Sequence, residues 1–269
     1  MATSTKTTGK REYYDDPDFN YLQWWGGRSY EHLSEVIAIR RLLDGRRFGS
    51  AVDVGGGYGR LSVVLADYAD TVTLIDPSSQ QLGLARTFLA RHPAISARRM
   101  SATRMEFPDA SADLVTMVRV MHHLPDPAQE LAEVSRILRP GGYAIIEAAN
   151  SAHAINRVRH LLRGEPIPAK AVDIRPEAAK RRGAAPFVNH NPRTVARQLR
   201  AAGLNIRSML SVSNLRHPVV KDVLPEPAML AIERAVQEPL AGICFGPSMF
   251  FLAQKLTGRR GYLYMSGRM

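Results

Sequence analysis

The chain of 269 residues is long enough for one large core or two small ones, and its 45% hydrophobic and 23% charged content is ordinary for a soluble globular protein. A single cysteine, Cys244, excludes an intramolecular disulfide framework, and the chain has neither an apolar run of ~18 residues nor a secretory h-region, so a cytoplasmic protein without a membrane span is expected. The net charge of +11 is lopsided, with 17 Lys+Arg against 18 Asp+Glu in residues 1–150 and 19 against 7 in residues 151–269, which suits nucleic acid, an anionic membrane surface, an acidic substrate or simply solvated helix faces.

Aromatic residues crowd the start of the chain, where Tyr13, Tyr14, Phe19, Tyr21, Trp24, Trp25 and Tyr30 precede the first predicted strand. A helix is expected over 31–43 from the stripe Leu33, Val36, Ile37, Ile39, Leu42 and Leu43, stopped by Asp44-Gly45. The stretch 51–60, Ala-Val-Asp-Val-Gly-Gly-Gly-Tyr-Gly-Arg, passes from a buried strand into a glycine turn. Leu61, Val63, Val64 and Leu65 then supply the apolar side of a helix, whose first amides point back at the turn. Such a turn is a nucleotide-site candidate. It fails the dinucleotide fingerprint because Arg60 stands where glycine or alanine is needed, and it lacks the Gly-Lys-Ser/Thr of a triphosphate loop. The acid two residues before the first glycine, Asp53, repels a pyrophosphate and suits a ligand that carries a cation.

This acidic, hydrophobic, Gly-x-Gly-x-Gly run resembles the first motif of the class I S-adenosylmethionine-dependent methyltransferases, and the following segments align with the same family. A strand is expected over 71–75, ending at Asp76, an acid placed for ribose hydroxyls. A helix over 81–91 leads to Met100–Asp113, which resembles the family's third-strand region with three departures. Ser101 replaces an aspartate that accepts from the adenine amino group, Glu106 a proline and Ala112 an aromatic residue. A fourth strand over 113–120 runs into His122-His123-Leu124-Pro125-Asp126, similar to the His-His-Leu-x-Asp of the methyltransferase type 11 group, whose members act on small molecules. One of His122 and His123 can serve as a general base; alternatively one packs on the sheet and the other caps the next helix. After a helix over 127–138, Leu-Arg-Pro-Gly-Gly precedes a fifth strand over 143–147. Beyond it come a basic helix over 154–163, a Pro-, Ala-, Lys- and Arg-rich stretch over 164–186, and helices over 192–202 and 226–238. Two strands, over 204–212 and 248–253, complete the reading, and residues 258–269 receive no assignment.

The resemblance implies an α/β Rossmann-like sheet of seven strands in the order 3-2-1-4-5-7-6, with helices on both faces. It implies one domain over residues 1–269: a lid and helix segment at 1–45, a cofactor-binding core at 46–150, a basic substrate lid at 151–190 and the rest of the sheet at 191–257. S-adenosyl-L-methionine is the implied cofactor, with S-adenosyl-L-homocysteine as product. Asp53, Gly55, Gly56, Gly57, Gly59, Asp76, Pro77, Ser101, Ala102 and Arg119 are its expected neighbours. Tyr21, Trp24, Trp25 and Arg28 are expected at the lid or substrate, where aromatic faces attract a sulfonium, although the same rings can simply plug the first helix onto the core. The scattered histidines and lone cysteine offer no metal site. The expected activity is methyl transfer to a small, partly hydrophobic molecule, with an RNA or protein methyltransferase, or a non-catalytic S-adenosylmethionine-binding partner, as the alternatives.

Overall fold

The computed structural model describes residues 25–182 and 184–257. Seven strands form one sheet: β1 (Phe48–Val54), β2 (Ala69–Asp76), β3 (Ile95–Arg99), β4 (Ala112–Met117), β5 (Leu138–Ala149), β6 (Leu204–Val212) and β7 (Ser248–Lys255). Their order is β3-β2-β1-β4-β5-β7-β6, the order that the family resemblance implies. The first five are parallel, and β7 runs antiparallel between β5 and β6. Ala51 to Val54 are buried on both faces of the sheet, which is why this strand reads as continuous rather than alternating hydrophobicity.

Helices cover the sheet because each strand crossover must return on one face or the other. On one face α1 (Ser29–Leu43), α2 (Ser62–Leu65) and α3 (Ser79–Phe88) pack Ile39, Leu43, Leu65 and Ala85 against Leu74 and Phe250. On the other, α4 (Ala128–Ile137) packs Leu131 and Ile137 against Met117 and Phe251. Phe250 and Phe251 are adjacent on β7 and point to opposite cores, as strand alternation requires.

The chain beyond β5 adds α5 (Ala154–Arg163), α6 (Glu177–Arg181), α7 (Pro192–Ala201), α8 (Pro218–Val223) and α9 (Glu226–Val236). A two-residue ribbon pairs Val172–Asp173 with Val188–Asn189, and His190 bonds back to the end of β5 through its amide and the Ala149 carbonyl, 2.7 Å.

The differences from the sequence expectation are local. The helix after the glycine turn is only Ser62–Leu65. β4 stops at Met117, because Arg119 adopts a left-handed φ of 60° that no strand continues through. β3 lies ahead of Met100, so the family-like stretch is the connection after that strand. The short helix α8, with Pro218 in its first turn, was not expected at all.

Candidate active site

The carboxyl ends of β1, β2 and β4 meet around a cavity lined by Asp53, Gly55, Gly56, Gly57, Arg60, Leu61, Asp76, Gln81, Val118 and Arg119. This is where open parallel sheets bind ligands. Gly55, Gly57 and Gly59 all take left-handed φ (66°, 58° and 95°), the conformation for which glycine is the ordinary choice. Gly56 has an ordinary φ, yet a Cβ there would lie 2.8 Å from Asp53 Oδ2 and 2.8 Å from Leu74 Cγ. Each position of the run therefore has its own reason to be small.

Two buried carboxylates hold the turn. Asp53 accepts from Ser62 Oγ (2.6 Å) and from Thr116 Oγ1 (2.8 Å), its register partner on β4. Burial nevertheless pushes its carboxyl up, since two neutral donors do not fully replace water. Asp76 accepts from the amides of Gly57 (3.0 Å) and Ser78 (2.9 Å) and so ties the end of β2 to the turn. Both acids line the cavity.

A second layer, which the sequence reading did not anticipate, is built on α1. Glu35 is 2% exposed and pairs with Arg60 (2.6 Å) and with Arg119 Nε (2.6 Å). Burial alone would raise its carboxyl, but the two guanidiniums outweigh that and leave it below its ordinary value. Trp25 roofs the trio, with the Arg60 guanidinium 3.7 Å and that of Arg119 5.0 Å from its ring centroid. Arg60 also donates to His32 Nδ1 (3.0 Å), and burial together with Arg60 keeps that imidazole below its usual value. The Arg119 amide, turned by its left-handed backbone, donates to Glu147 at the end of β5 (2.9 Å). Glu35 had a sequence signal: it shares with Glu31 and Ile39 the i, i+4 spacing of the buried face of α1.

Gln81 was also missed. It is 2% exposed, lines the cavity, and neither its amide oxygen nor its amide nitrogen has a partner. An orphaned buried amide beside an acid at a strand end fits a nucleoside, whose hydroxyls and ring nitrogens supply both donors and acceptors. The glycine turn, Asp76 and Gln81 thus fit an adenosyl group.

The remaining expected residues are spread more widely. Pro77 follows Asp76, and its carbonyl accepts from Arg99 Nε (3.0 Å). Ser101 and Ala102 lie just past β3; the Ser101 hydroxyl pairs with that of Thr103 (2.9 Å), and neither residue lines the cavity. Arg28 precedes α1 and lies in the field of Arg119. Tyr21 and Trp24 lie outside the described residues.

His122 and His123 form a short 3-10 turn after β4. Their rings are 4.0 Å apart, and Phe187 from the insertion stacks 4.6 Å from His122. Burial first, and then His123, Arg119 and His190, hold the His122 imidazole well below its ordinary value. His123 donates from Nδ1 to the Pro186 carbonyl (3.0 Å), which makes Nε2 its basic nitrogen. Neither histidine caps α4; the nearest contribution there is Asp126 Oδ1, which accepts from the Ala128 amide (3.3 Å). The tight His-His-Leu-Pro turn explains this, because it directs both rings toward the insertion.

Beyond this wall Glu233, fully buried on α9, accepts from Tyr30 Oη (2.7 Å) and from the amides of Ser213 (2.8 Å) and Asn214 (3.0 Å), while Tyr30 Oη accepts from the Leu215 amide (3.0 Å). That network fixes the loop after β6 against the start of α1. It carries Arg216, which is exposed, makes no side-chain hydrogen bond or ion pair among the described residues, and stands in the field of Arg119, Arg28, Glu31 and Glu147. Nothing in the local sequence marks Arg216, since its setting depends on residues on α1 and α9.

Comparison with known proteins agrees with this geometry. A family model described as a methyltransferase domain, of the type 11 group, matches residues 52–146. The chain is 32% identical over 161 residues to a protein named ubiquinone biosynthesis O-methyltransferase from Paracidovorax citrulli, covering 56% of this chain and 66% of that protein. A protein of the same name from Thiobacillus denitrificans is 32% identical over 139 residues, covering 48% and 58%. The chain thus spans between about half and two thirds of the length of the curated relatives it matches. Among solved structures, a S-adenosylmethionine-dependent methyltransferase from Thermotoga maritima superposes with a TM-score of 0.59 at 21% identity, over 87% of this chain and 94% of that one. The [4+2]-cyclase SpnF superposes with a TM-score of 0.54 at 19% identity, over 85% and 82%, so the fold by itself does not fix the chemistry. Fold, glycine turn, strand-end acid and sequence kinship converge, and the chain belongs to the class I S-adenosylmethionine-dependent methyltransferases.

Proposed function

We propose that this protein transfers a methyl group from S-adenosylmethionine to a small, partly apolar acceptor that carries a carboxylate or phosphate. The observation that carries the reading is the cavity where the glycine turn, Asp76 and the unpartnered amide of Gln81 meet. Asp76 would accept from the ribose hydroxyls, Gln81 would meet the nucleoside, and Gly55 to Gly57 would let it approach without a Cβ in the way. When bound, the cofactor supplies an electrophilic methyl whose bond to sulfur breaks as the bond to the acceptor forms, the electron pair staying on sulfur.

The chain's own contribution is alignment and exclusion of water. Trp25, held by Arg60 and Arg119, roofs the α1 side of the site. His122 and His123 stay neutral at pH 7 because burial, the first cause for both, lowers them, so either imidazole could act as the base that takes the acceptor's proton. Phe187 and the stacked imidazoles offer an apolar wall. Arg216, which makes no ion pair among the described residues, offers a cation that suits an anionic acceptor. The relatives named as O-methyltransferases of ubiquinone biosynthesis support a small-molecule acceptor.

Transfer of label from methyl-labelled S-adenosylmethionine into cell extract, separated into RNA, protein and organic-soluble fractions, tests the reading. Label in an acidic, organic-soluble product is expected. Label confined to nuclease-sensitive polymer would move the function to RNA, where the basic second part of the chain would be the binding surface.

A further inference from the structure

Helix α5 is laid inside out. Its residues Ile155, Val158, Leu161 and Leu162 fall within an arc of about 120° at 100° per residue, and all four are exposed, Leu161 and Leu162 at 80% and 81%. The side turned toward the protein is polar instead: Asn156 and His160 are the better-covered positions, and Asn156 Nδ2 donates to the Ser151 carbonyl (3.1 Å). No residue of the helix is buried.

The helix is nonetheless well terminated. Gly164 takes a left-handed φ of 65°, its amide bonds to the Leu161 carbonyl (3.1 Å), and the Glu165 amide bonds to the His160 carbonyl (3.0 Å), a Schellman closure. At the other end the Ala154 amide is held by the Phe245 carbonyl (2.9 Å), and Phe245 and Ile243 are themselves exposed. An ordered helix therefore presents a continuous apolar face to the outside, just past the carboxyl end of β5, on the edge of the sheet that bears the cavity.

Charge decides what would cover that face. Arg157 and Arg159 flank the apolar arc on its two sides, Arg163 follows next to Arg159, and α5 contains no acidic residue. Residues 151–200 as a whole carry 11 Lys+Arg against 3 Asp+Glu. A second copy of the chain meeting α5 about a two-fold axis would set these arginines against their own copies. RNA would answer the charge and leave Leu161 and Leu162 in water. A surface of anionic lipid answers both, taking apolar side chains among its acyl chains while arginines on the flanks reach the headgroups.

We propose that α5 docks the protein onto an anionic lipid surface, with Ile155, Val158, Leu161 and Leu162 inserted and Arg157, Arg159 and Arg163 on lipid phosphates. This goes beyond the proposed methyl transfer and does not depend on the acceptor. It is a surface attachment, in keeping with the absence, among the described residues, of any helix long and apolar enough to cross a membrane.

Co-sedimentation of the full chain with vesicles tests it. Binding to vesicles of phosphatidylcholine with roughly one quarter phosphatidylglycerol should exceed binding to pure phosphatidylcholine by about tenfold or more. The double variant Leu161→Glu/Leu162→Glu should lose that binding, and Arg159→Glu/Arg163→Glu should lose most of it. S-adenosylhomocysteine binding and the far-ultraviolet dichroism should stay as in the parent, which separates this failure from that of the methyltransferase reading. Absence of vesicle binding by the parent chain, or undiminished binding by Leu161→Glu/Leu162→Glu, would overturn the proposal. So would a dimer that the leucine variant dissociates without any vesicle binding, or RNA binding that it leaves intact while vesicles are ignored.

Discussion

Helices α5 and α7 are each ten residues long, each carries several arginines, and each has a clear apolar stripe, yet they meet the protein in opposite ways. In α7 Val195 and Leu199 are fully buried in the same core as Ile137 and Phe251. In α5 the equivalent stripe faces outward. An amphipathic pattern states that one face needs covering and leaves open what covers it. For α7 the cover is the sheet; for α5 it is nothing among the described residues. The arginines near the site divide in the same way, since Arg60 and Arg119 are neutralised by Glu35 and roofed by Trp25, whereas Arg216 makes no ion pair among the described residues. Paired and buried groups build the site, and unpaired exposed ones mark where something else binds.

The largest expected effect comes from shortening one leucine on each helix. Leu199→Ala in α7 should cost about 2–5 kcal/mol, the range for emptying a packed core position, whereas Leu161→Ala in α5 should stay within about 0.5 kcal/mol. Urea unfolding of the two variants beside the parent measures both. Equal costs would mean that the α5 face is packed in the free protein and would erase the contrast.

Of comparable or slightly smaller size is the loss of the charge centre. Glu35→Gln leaves two arginines at a buried site without their anion and should cost about 3 kcal/mol. Arg216→Gln should leave stability unchanged and instead raise the KM for an anionic acceptor, the two arginine environments being distinguished by which quantity moves. Acid should reveal the same centre. Because the folded protein holds the Glu35 carboxylate below its ordinary range, its contribution is present above about pH 4.3 and is lost as the pH falls through the folded value.

The smallest effect is a pH dependence nearer neutrality. Burial, followed by the neighbouring His123, depresses His122, so the unfolded chain takes up a proton more readily than the folded one. The stability associated with a neutral His122 is present above about pH 6.5 and declines below it. Thermal unfolding between pH 7.5 and 5.5 should show the midpoint falling, and His122→Phe, which keeps the stack on Phe187, should flatten part of that slope. An unchanged slope would place the dependence on other histidines.

Legibility in the sequence followed the range of the interactions. The sheet strands and the glycine turn could be read because each depends on local pattern, continuous apolar runs, glycines in a turn and an acid at a strand end, while the strand order came from the family resemblance that those motifs carry. Helix α7 was bounded almost to the residue, since Asn191 caps it and Pro192 and Gly203 bracket it. Glu35, Gln81 and Arg216 were not found. Glu35 matters only because Arg60 and Arg119 arrive from loops 25 and 84 residues away, and Arg216 is placed by Glu233 and Tyr30 from two other helices. The basic excess of the second part could be counted in the sequence, but the outward turn of the α5 apolar face could not, because a helical stripe carries no information about which side its own protein occupies.

The cavity at the glycine turn is the proposed seat of S-adenosylmethionine. Calorimetric titration of the full chain with S-adenosylhomocysteine tests it most directly, with S-adenosylmethionine and NAD as competitors and Gly56→Ala as the altered protein. One saturable site per chain is expected, which S-adenosylmethionine displaces and NAD does not, weakened by about tenfold or more in Gly56→Ala, whose new methyl would press on Asp53 and Leu74. No saturable binding, equal displacement by NAD, or a Gly56→Ala protein that binds as the parent does would contradict it.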